Sequence, residues 1–143
     1  MKLEILATTA LLSTIAFTAP AQAANPAHVR QLLATRACAG CNLAGANLQQ
    51  AHLIGADLRN ANLAGANLKS ANLEGADLTG ANLKGANLSD VFASDASLTG
   101  TNLTGVKLTN AELHNADLEG AILANADLRG AILNGALYGG YVR

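Results

Sequence analysis

The sequence predicts an all-β solenoid, in which the chain winds around one axis in short, flat coils. Three observations lead to this fold class. Leucine recurs at every fifth position from Leu43 to Leu133, with one interruption at Ala93. Alanine usually lies two residues before each leucine, and each unit usually ends in Gly, Asn, Asp or Ser. No insertion breaks the register over the 20 units between Cys41 and Gly140, 18 of which have leucine at the centre.

A period of five fits neither an α-helix nor a flat strand. On a helix, leucines five residues apart rotate by about 140° at each step and leave no apolar stripe. On a strand, successive side chains alternate between faces, so leucines an odd number of residues apart point to opposite sides. Within one unit, however, Ala and Leu are two residues apart and share a face. The chain keeps that face inward only if the turn-forming residues make a corner in every unit.

The tandem motif A(N/D)LxG resembles the pentapeptide repeat family, and it covers most of the chain from Cys41 onward. The resemblance implies a right-handed quadrilateral β-helix with one unit per side. The units then make about five coils, 41–60, 61–80, 81–100, 101–120 and 121–140. A narrow shaft has room for one leucine and one alanine per side, which agrees with an aromatic content of only 3%.

The first 23 residues have the pattern of a secretory signal peptide. Lys2 gives a positive end, Ile5 to Ala19 is apolar, and Ala21-Gln22-Ala23 has the small-x-small form of a cleavage site. We therefore expect an exported protein that is not held by a membrane once residues 1–23 have been removed.

The remaining chain divides into three parts. Residues 24–40 are expected to hold a capping helix and a CxxC segment, residues 41–140 the β-helix, and residues 141–143 a short tail. The segment RQLLATRACAGCNLAGANL resembles cyanobacterial members of the family that are sent to the thylakoid lumen or the periplasm. The resemblance therefore implies one of these two compartments.

A short helix is expected to close the first coil, because a solenoid exposes its core at both ends and needs caps. Asn25 is a good N-cap residue and Pro26 suits the first helical turn. The helix is expected to run from about residue 26 to residue 36, with Val29, Leu32 and Leu33 facing the coil.

The only two cysteines, Cys38 and Cys41, are expected to form a disulfide, because the export signal points to an oxidising compartment. Cys41 stands where alanine normally points inward, so the bond would tie the capping helix to the first coil. A thiol redox role for the pair stays open. Zinc binding is not expected, since two cysteines are too few ligands. Covalent haem attachment is excluded because Asn42, not histidine, follows the second cysteine.

Two places depart from the repeat. Near the C-terminus Ile122, Ile132 and Leu137 replace the outward Asn or Asp, Tyr138 fills a centre, and Tyr141 follows. This apolar rim either packs under the tail or forms a homodimer contact, and gyrase-inhibiting members of the family are thought to dimerise at that end. In the middle, Phe92 replaces Asn beside the small centre Ala93. Here the alternatives are a local bulge with Phe92 covering the defect, and an exposed aromatic anchor for a partner.

No group of residues suggests catalysis, so we expect no enzyme, no cofactor and no metal site. His52 and His114 fall on one side of the shaft but three coils apart. Asp57, Asp77 and Asp117 are expected to stack along another side and face solvent. The formal net charge of −1 lacks the basic surface of a nucleic-acid-binding protein and argues against a strongly acidic, DNA-like surface.

The leading functional hypothesis is a non-enzymatic exported protein that acts as a rigid scaffold for a protein partner whose identity the sequence does not give. The first alternative is a topoisomerase (gyrase) inhibitor that mimics DNA, as in quinolone-resistance members of the family. The second alternative is a thiol redox protein that uses Cys38 and Cys41.

Overall fold

The computed structural model describes residues 23–139, which form one short helix followed by a regular coil. Parallel β-bridges join each outward position to the residue 20 positions later, from Ala37 with Asp57 to Asp117 with Leu137. A coil of 20 residues contains four units of five, so every coil has four sides. The coil length implied by the family resemblance is therefore confirmed.

Each side is held to the next coil by the same three backbone hydrogen bonds. In the first full unit the N–H of Leu43 donates to Asn62 O at 2.7 Å and the N–H of Gly45 donates to Ala64 O at 2.8 Å. The N–H of Asn62 returns a bond to Cys41 O at 2.8 Å. Only the residues around each centre are extended, so the pairing in residues 23–139 consists of single bridges rather than longer strands.

A tight turn forms every corner. The N–H of Ala46 donates to Leu43 O at 3.0 Å, and Gly45, the third residue of this turn, has φ +70°. A positive φ at the third position is the requirement of a type II turn. Where glycine is absent, Asn and Asp fill most of these positions, as at Asn60 with φ 56°, because their short polar side chains tolerate the left-handed region. The residues that end the units therefore set the corners, as the sequence predicts.

The core is a single column of leucines and small residues. Leucine centres from Leu43 to Leu113 are almost fully buried, and the alanines two residues before them accompany them. Thr101 takes one alanine position and stays fully buried, because its hydroxyl donates to Leu98 O at 2.7 Å. The inward-facing pattern predicted from the leucine period is thus confirmed.

The four sides differ in the residues that they present outward, and we name them accordingly. The asparagine side carries Asn42, Asn62, Asn82 and Asn102; the basic side carries Lys69, Lys107 and Arg129; the phenylalanine side carries His52, Asn72, Phe92, Glu112 and Ile132; the aspartate side carries Asp57, Asp77, Ser97 and Asp117. Neighbouring residues of one such row are bridge partners, at the strand spacing of roughly 4.8 Å.

The coil begins one unit earlier than the expected start at Cys41. The N–H of Cys38 donates to Asp57 O at 2.8 Å, and the N–H of Asp57 donates to Arg36 O at 2.8 Å. Residues 36–40 therefore form a full unit with Cys38 at its centre and Gly40 at its corner. The leucine pattern could not reveal this unit, because cysteine stands where leucine is usual.

Helix α1 spans Pro26–Thr35, which confirms the capping helix predicted from Asn25 and Pro26. Leu32 is fully buried in the core, and Val29 packs against it in part. Leu33 is 54% exposed, so its predicted place under the helix is wrong. One residue along a helix turns the side chain by about 100°, which carries Leu33 away from the coil axis. Within residues 23–139, no helix has the length and apolar character needed to cross a membrane.

Candidate interaction surfaces

The N-terminal end of the coil is closed by specific contacts as well as by Leu32. The Nδ1 atom of His28 accepts from the backbone N–H of Asn42 at 2.9 Å, and the N–H of Asn25 donates to Asn42 O at 3.0 Å. The Nε2 atom of Gln31 donates to Ala37 O at 2.7 Å. These contacts satisfy backbone groups that have no preceding coil to bond with. This end therefore offers little free backbone to a partner.

Cys38 and Cys41 form the disulfide that the sequence predicts. Cys38 is a unit centre and Cys41 is the inward residue of the next unit, so the bond spans the first corner of the coil. It joins two consecutive units rather than joining α1 to the coil, which corrects the expected position of the link. Both cysteines are almost completely buried. An external thiol therefore reaches them only if this corner opens.

The C-terminal end of the coil, in contrast, is open. Leu118 is 3% exposed, whereas the next leucine centres, Leu123, Leu128 and Leu133, are only partly buried. These leucines border a cavity of about 210 Å³ whose lining is almost wholly apolar. Tyr138, also a unit centre, lines its mouth and is 51% exposed.

The residues predicted at this end surround the opening on different sides. Ile122 lies on the asparagine side, Ile132 on the phenylalanine side and Leu137 on the aspartate side, and all three are exposed. Together with Tyr138 they form what we call the C-terminal rim. Tyr141, the remaining predicted member, lies outside the described residues.

Phe92 does not belong to the C-terminal rim, and no bulge occurs around it. It pairs in register with Asn72 on one side and Glu112 on the other. Ala93 occupies its centre position at 2% exposure, beside the fully buried Val91. The bulge interpretation is therefore wrong, because Phe92 points outward and covers nothing in the core. Its side chain is left 45% exposed on the phenylalanine side.

Charge is segregated around the coil, which the near-zero net charge conceals. In residues 23–139 every acidic side chain except Asp127 lies on the phenylalanine side, on the aspartate side or at a corner that borders them: Asp57, Glu74, Asp77, Asp90, Asp95, Glu112, Asp117 and Glu119. The cationic side chains of the coil, apart from Arg36 and Arg59, lie on the other two sides: Lys69, Lys84, Lys107 and Arg129. The expectation that charge balance excludes an acidic surface is therefore wrong. A 20-residue register would have revealed it.

Two carboxylates have pKa values well below the ordinary range. A side-chain hydrogen bond from Arg59 lowers the pKa of Asp57 to about 2, and the two groups lie 2.7 Å apart. A side-chain hydrogen bond from Arg129 likewise lowers the pKa of Asp127 to about 2. Within the described part of the chain, no three His, Cys, Asp or Glu side chains converge on a point where a metal ion could bind.

The row on the asparagine side is held by hydrogen bonds along and across the coil. The Oδ1 atom of Asn62 accepts from the backbone N–H of Ala64 at 3.2 Å and from Nδ2 of Asn82 at 3.3 Å. The interpretation of this ladder as a means of satisfying the backbone is thus confirmed. Its amide groups are engaged with the coil itself, which leaves the two acidic sides and the C-terminal rim as the distinctive surfaces.

The comparisons with known proteins agree with this architecture. A family model described as "Pentapeptide repeats (8 copies)" matches residues 41–80, 76–115 and 111–136. Among solved structures, the pentapeptide repeat protein Rfr23 from the cyanobacterium Cyanothece 51142 is 33% identical, with a TM-score of 0.57, over 79% of this chain and 94% of its own. No curated protein matches this chain.

Two further solved structures share the repeat. A pentapeptide repeat protein from Nostoc Pcc 7120 is 29% identical, with a TM-score of 0.42, over 85% of this chain and 90% of its own. Another, from the thylakoid lumen of Arabidopsis thaliana, is 35% identical, with a TM-score of 0.35, over 66% of this chain and 63% of its own. Because the family model spans more than half of the chain and Rfr23 matches over nearly its whole length, this chain belongs to the pentapeptide repeat family.

Proposed function

We propose that this chain is an exported, non-enzymatic scaffold whose C-terminal rim binds a second copy of the same chain. The observation that carries the proposal is the difference between the two ends of the coil. Leu32 and the contacts of α1 close the first coil, whereas Leu123, Leu128 and Leu133 remain partly open to solvent on the last. The right-handed quadrilateral form of the coil is part of this proposal and follows from family membership.

A second copy satisfies the needs of the open end without any further component. Exposed apolar surface is unfavourable in water by roughly 25 cal/mol for each Å², and contiguous apolar patches commonly mark interaction sites. Two identical rims related by a two-fold axis bury each other, which is the usual arrangement of a homodimer. The alternative occupant is residues 140–143 of the same chain, and the experiment below separates the two.

Export is supported by the signal-like residues 1–23 and by the disulfide between Cys38 and Cys41. Disulfides persist in oxidising compartments and are rare in the cytosol. We infer that the chain resides in the thylakoid lumen or the periplasm. The cleavage proposed after Ala23 would keep Asn25 and its bond to Asn42, so the cap survives processing.

A scaffold role agrees with the generally non-enzymatic, structural character of the family. The proposed gyrase-inhibitor alternative needs a cytoplasmic protein, so localisation distinguishes it from the scaffold. Cell fractionation, combined with sequencing of the N-terminus of the purified protein, makes this test. We expect the protein in the lumenal or periplasmic fraction, beginning at Ala24. A cytoplasmic protein that retains residues 1–23 would contradict export.

The oligomeric state tests the role of the C-terminal rim. We expect light scattering after size exclusion to give a dimer for residues 24–143, and a monomer for Leu137→Asp. The matched control is Leu33→Asp, which places the same charge at an exposed leucine on α1 and should remain dimeric. A monomeric wild type that dimerises after removal of residues 140–143 would identify the tail as the occupant. A wild type that is monomeric with or without the tail would also overturn the proposal.

A further inference from the structure

We propose that the phenylalanine side binds a cationic, extended segment of another protein, with Phe92 as its aromatic contact. The inference rests on the proposed role as an interaction scaffold, but it concerns a different surface from the C-terminal rim. Its basis is an exposed aromatic residue, the charges around it, and the length of the face on which both lie.

Phe92 has no structural task that its exposure would serve. The corresponding row positions of the asparagine side hold asparagine, and Asn72 precedes Phe92 in its own row. The backbone N–H of Phe92 donates to Ala71 O and its carbonyl accepts from Leu73, bonds that any residue could make at this position. Asparagine would therefore maintain the coil, and the large ring is left 45% exposed.

The surroundings of Phe92 are negatively charged and contain no compensating cation. Glu112 is its bridge partner on the next coil, and Glu74 lies on the preceding coil of the same side. Asp90 and Asp95 occupy the corners that bound the unit of Phe92. No lysine or arginine lies on the phenylalanine side within residues 23–139, and none of these four carboxylates forms a salt bridge there.

Two of the carboxylates are held in place by the coil. Asp90 accepts from Nδ2 of Asn110 at 3.3 Å, and Asp95 accepts from Nδ2 of Asn115 at 3.2 Å. Each of these bonds uses one oxygen and leaves the other free to accept from a ligand. A guanidinium or ammonium group that approaches Phe92 therefore meets an aromatic ring and positioned carboxylates together. Arginine is the better match, because its planar group stacks on rings and bonds carboxylates in pairs.

The length of the face indicates an extended segment. Ile54 and Ile132 are also exposed on the phenylalanine side, two coils before and two coils after Phe92. At the strand spacing of roughly 4.8 Å per coil this row is about 20 Å long, which an extended peptide covers with about six residues. The partner chemistry is therefore a six-residue stretch that is rich in arginine or lysine, seated on a face with apolar ends and an aromatic centre.

Binding of a fluorescein-labelled hexa-arginine peptide, followed by fluorescence anisotropy at low salt, tests the proposal. The variant Phe92→Asn removes the ring and installs the residue found elsewhere in the repeat, so folding is not at risk. Glu112→Gln removes a charge next to the ring. The matched control is Asp117→Asn, which removes the same charge from the aspartate side. A hexaglutamate peptide controls for non-specific adsorption.

We expect hexa-arginine to bind the wild type and to bind Phe92→Asn and Glu112→Gln at least about fivefold more weakly, the size of a partly desolvated cation–π contact. Asp117→Asn should stay within about twofold of the wild type, since exposed charges at a distance are screened. Equal binding by Phe92→Asn and wild type would overturn the proposal, as would equal losses for Glu112→Gln and Asp117→Asn. Anisotropy measured on the Leu137→Asp variant makes this result independent of the C-terminal rim.

Discussion

The Nδ1 atom of His28 accepts a hydrogen bond of 2.9 Å from the backbone N–H of Asn42, and this contact joins α1 to the first coil. In later coils the equivalent N–H donates to the preceding coil, as that of Asn62 donates to Cys41 O. Asn42 has no preceding coil. The histidine ring therefore replaces a missing backbone carbonyl at the edge of the ladder.

Removal of this acceptor should weaken the cap. For His28→Ala we expect the free energy of unfolding to fall by about 1–2 kcal/mol, because the partly buried N–H of Asn42 loses its partner. Urea unfolding followed by circular dichroism measures the change. His52→Ala is the matched control, since His52 is exposed on the phenylalanine side. Equal stability of the two variants would show that the ring contributes nothing specific.

The disulfide is expected to stabilise the first corner modestly. Only three positions separate Cys38 from Cys41, and a loop this short gives about 2 kcal/mol or less in the chain-entropy model. Cys38→Ser with Cys41→Ser should lose that amount and also bury hydroxyl groups. Cys38→Leu with Cys41→Ala restores the usual residues of a unit centre and an inward position. We expect the second pair to unfold at a higher urea concentration than the first.

The same pair of variants tests the redox alternative. Both cysteines are buried, so titration of thiols in native buffer with a mild reductant should detect few free groups. Addition of urea should release both. Rapid reduction of the folded protein, without loss of structure, would favour a redox role over a structural one.

Acid should destabilise the fold through Asp57 and Asp127. Their pKa values of about 2 in the folded protein lie below the ordinary value of 3.8, because Arg59 and Arg129 donate hydrogen bonds to them. A lowered folded-state pKa stabilises the fold above the ordinary value, and this contribution disappears as the pH falls from about 4 to about 2. Both pairs are exposed, so the effect is small and screened by salt.

The acid prediction is checked by urea unfolding between pH 7 and pH 2 in low salt. Asp57→Asn with Asp127→Asn should show a flatter dependence below pH 4 than the wild type. The matched control is Asp117→Asn, which leaves both arginine pairs intact. A double variant with the same pH profile as the wild type would contradict the assignment to these two residues.

The leucine period was sufficient to predict the core, the corners and the number of sides, because each follows from which residues must face inward and which must turn. Unit 36–40 could not be predicted in the same way, since Cys38 fills a leucine position only in the folded coil. The exposure of Leu33 was also missed. Three apolar residues at helical spacing define a broad face, whereas the narrow shaft has room for Leu32 alone.

The candidate surfaces were predicted unevenly for a related reason. Ile122, Ile132 and Leu137 break the repeat, so their outward positions could be read from the sequence. The charge segregation depends on residues far apart, such as Glu74 and Glu112, that share a side only when the chain is divided every 20 residues. Net charge carries no information about that division. The handedness of the coil likewise comes from family membership and not from the period.

Val91 and Ala93 present a compensation within one unit that a pair of substitutions can measure. Most units place alanine at the first of these positions and leucine at the second, whereas here the larger residue comes first. Both are buried, at 0% and 2% exposure, and the backbone keeps its register. The additional methyl groups of Val91 therefore occupy part of the space that the missing leucine would fill.

We expect each single change to destabilise the coil and the double change to restore it. Val91→Ala leaves a cavity and should cost about 1–2 kcal/mol, at roughly 0.8 kcal/mol for each buried carbon removed. Ala93→Leu overfills the unit and should cost about 1–3 kcal/mol. Together they recreate the usual unit, so a double-mutant cycle from urea unfolding should give a favourable coupling of at least about 1 kcal/mol. Simple additivity would mean that the two side chains do not share space, and that the small centre at Ala93 is filled by a shift of the backbone instead.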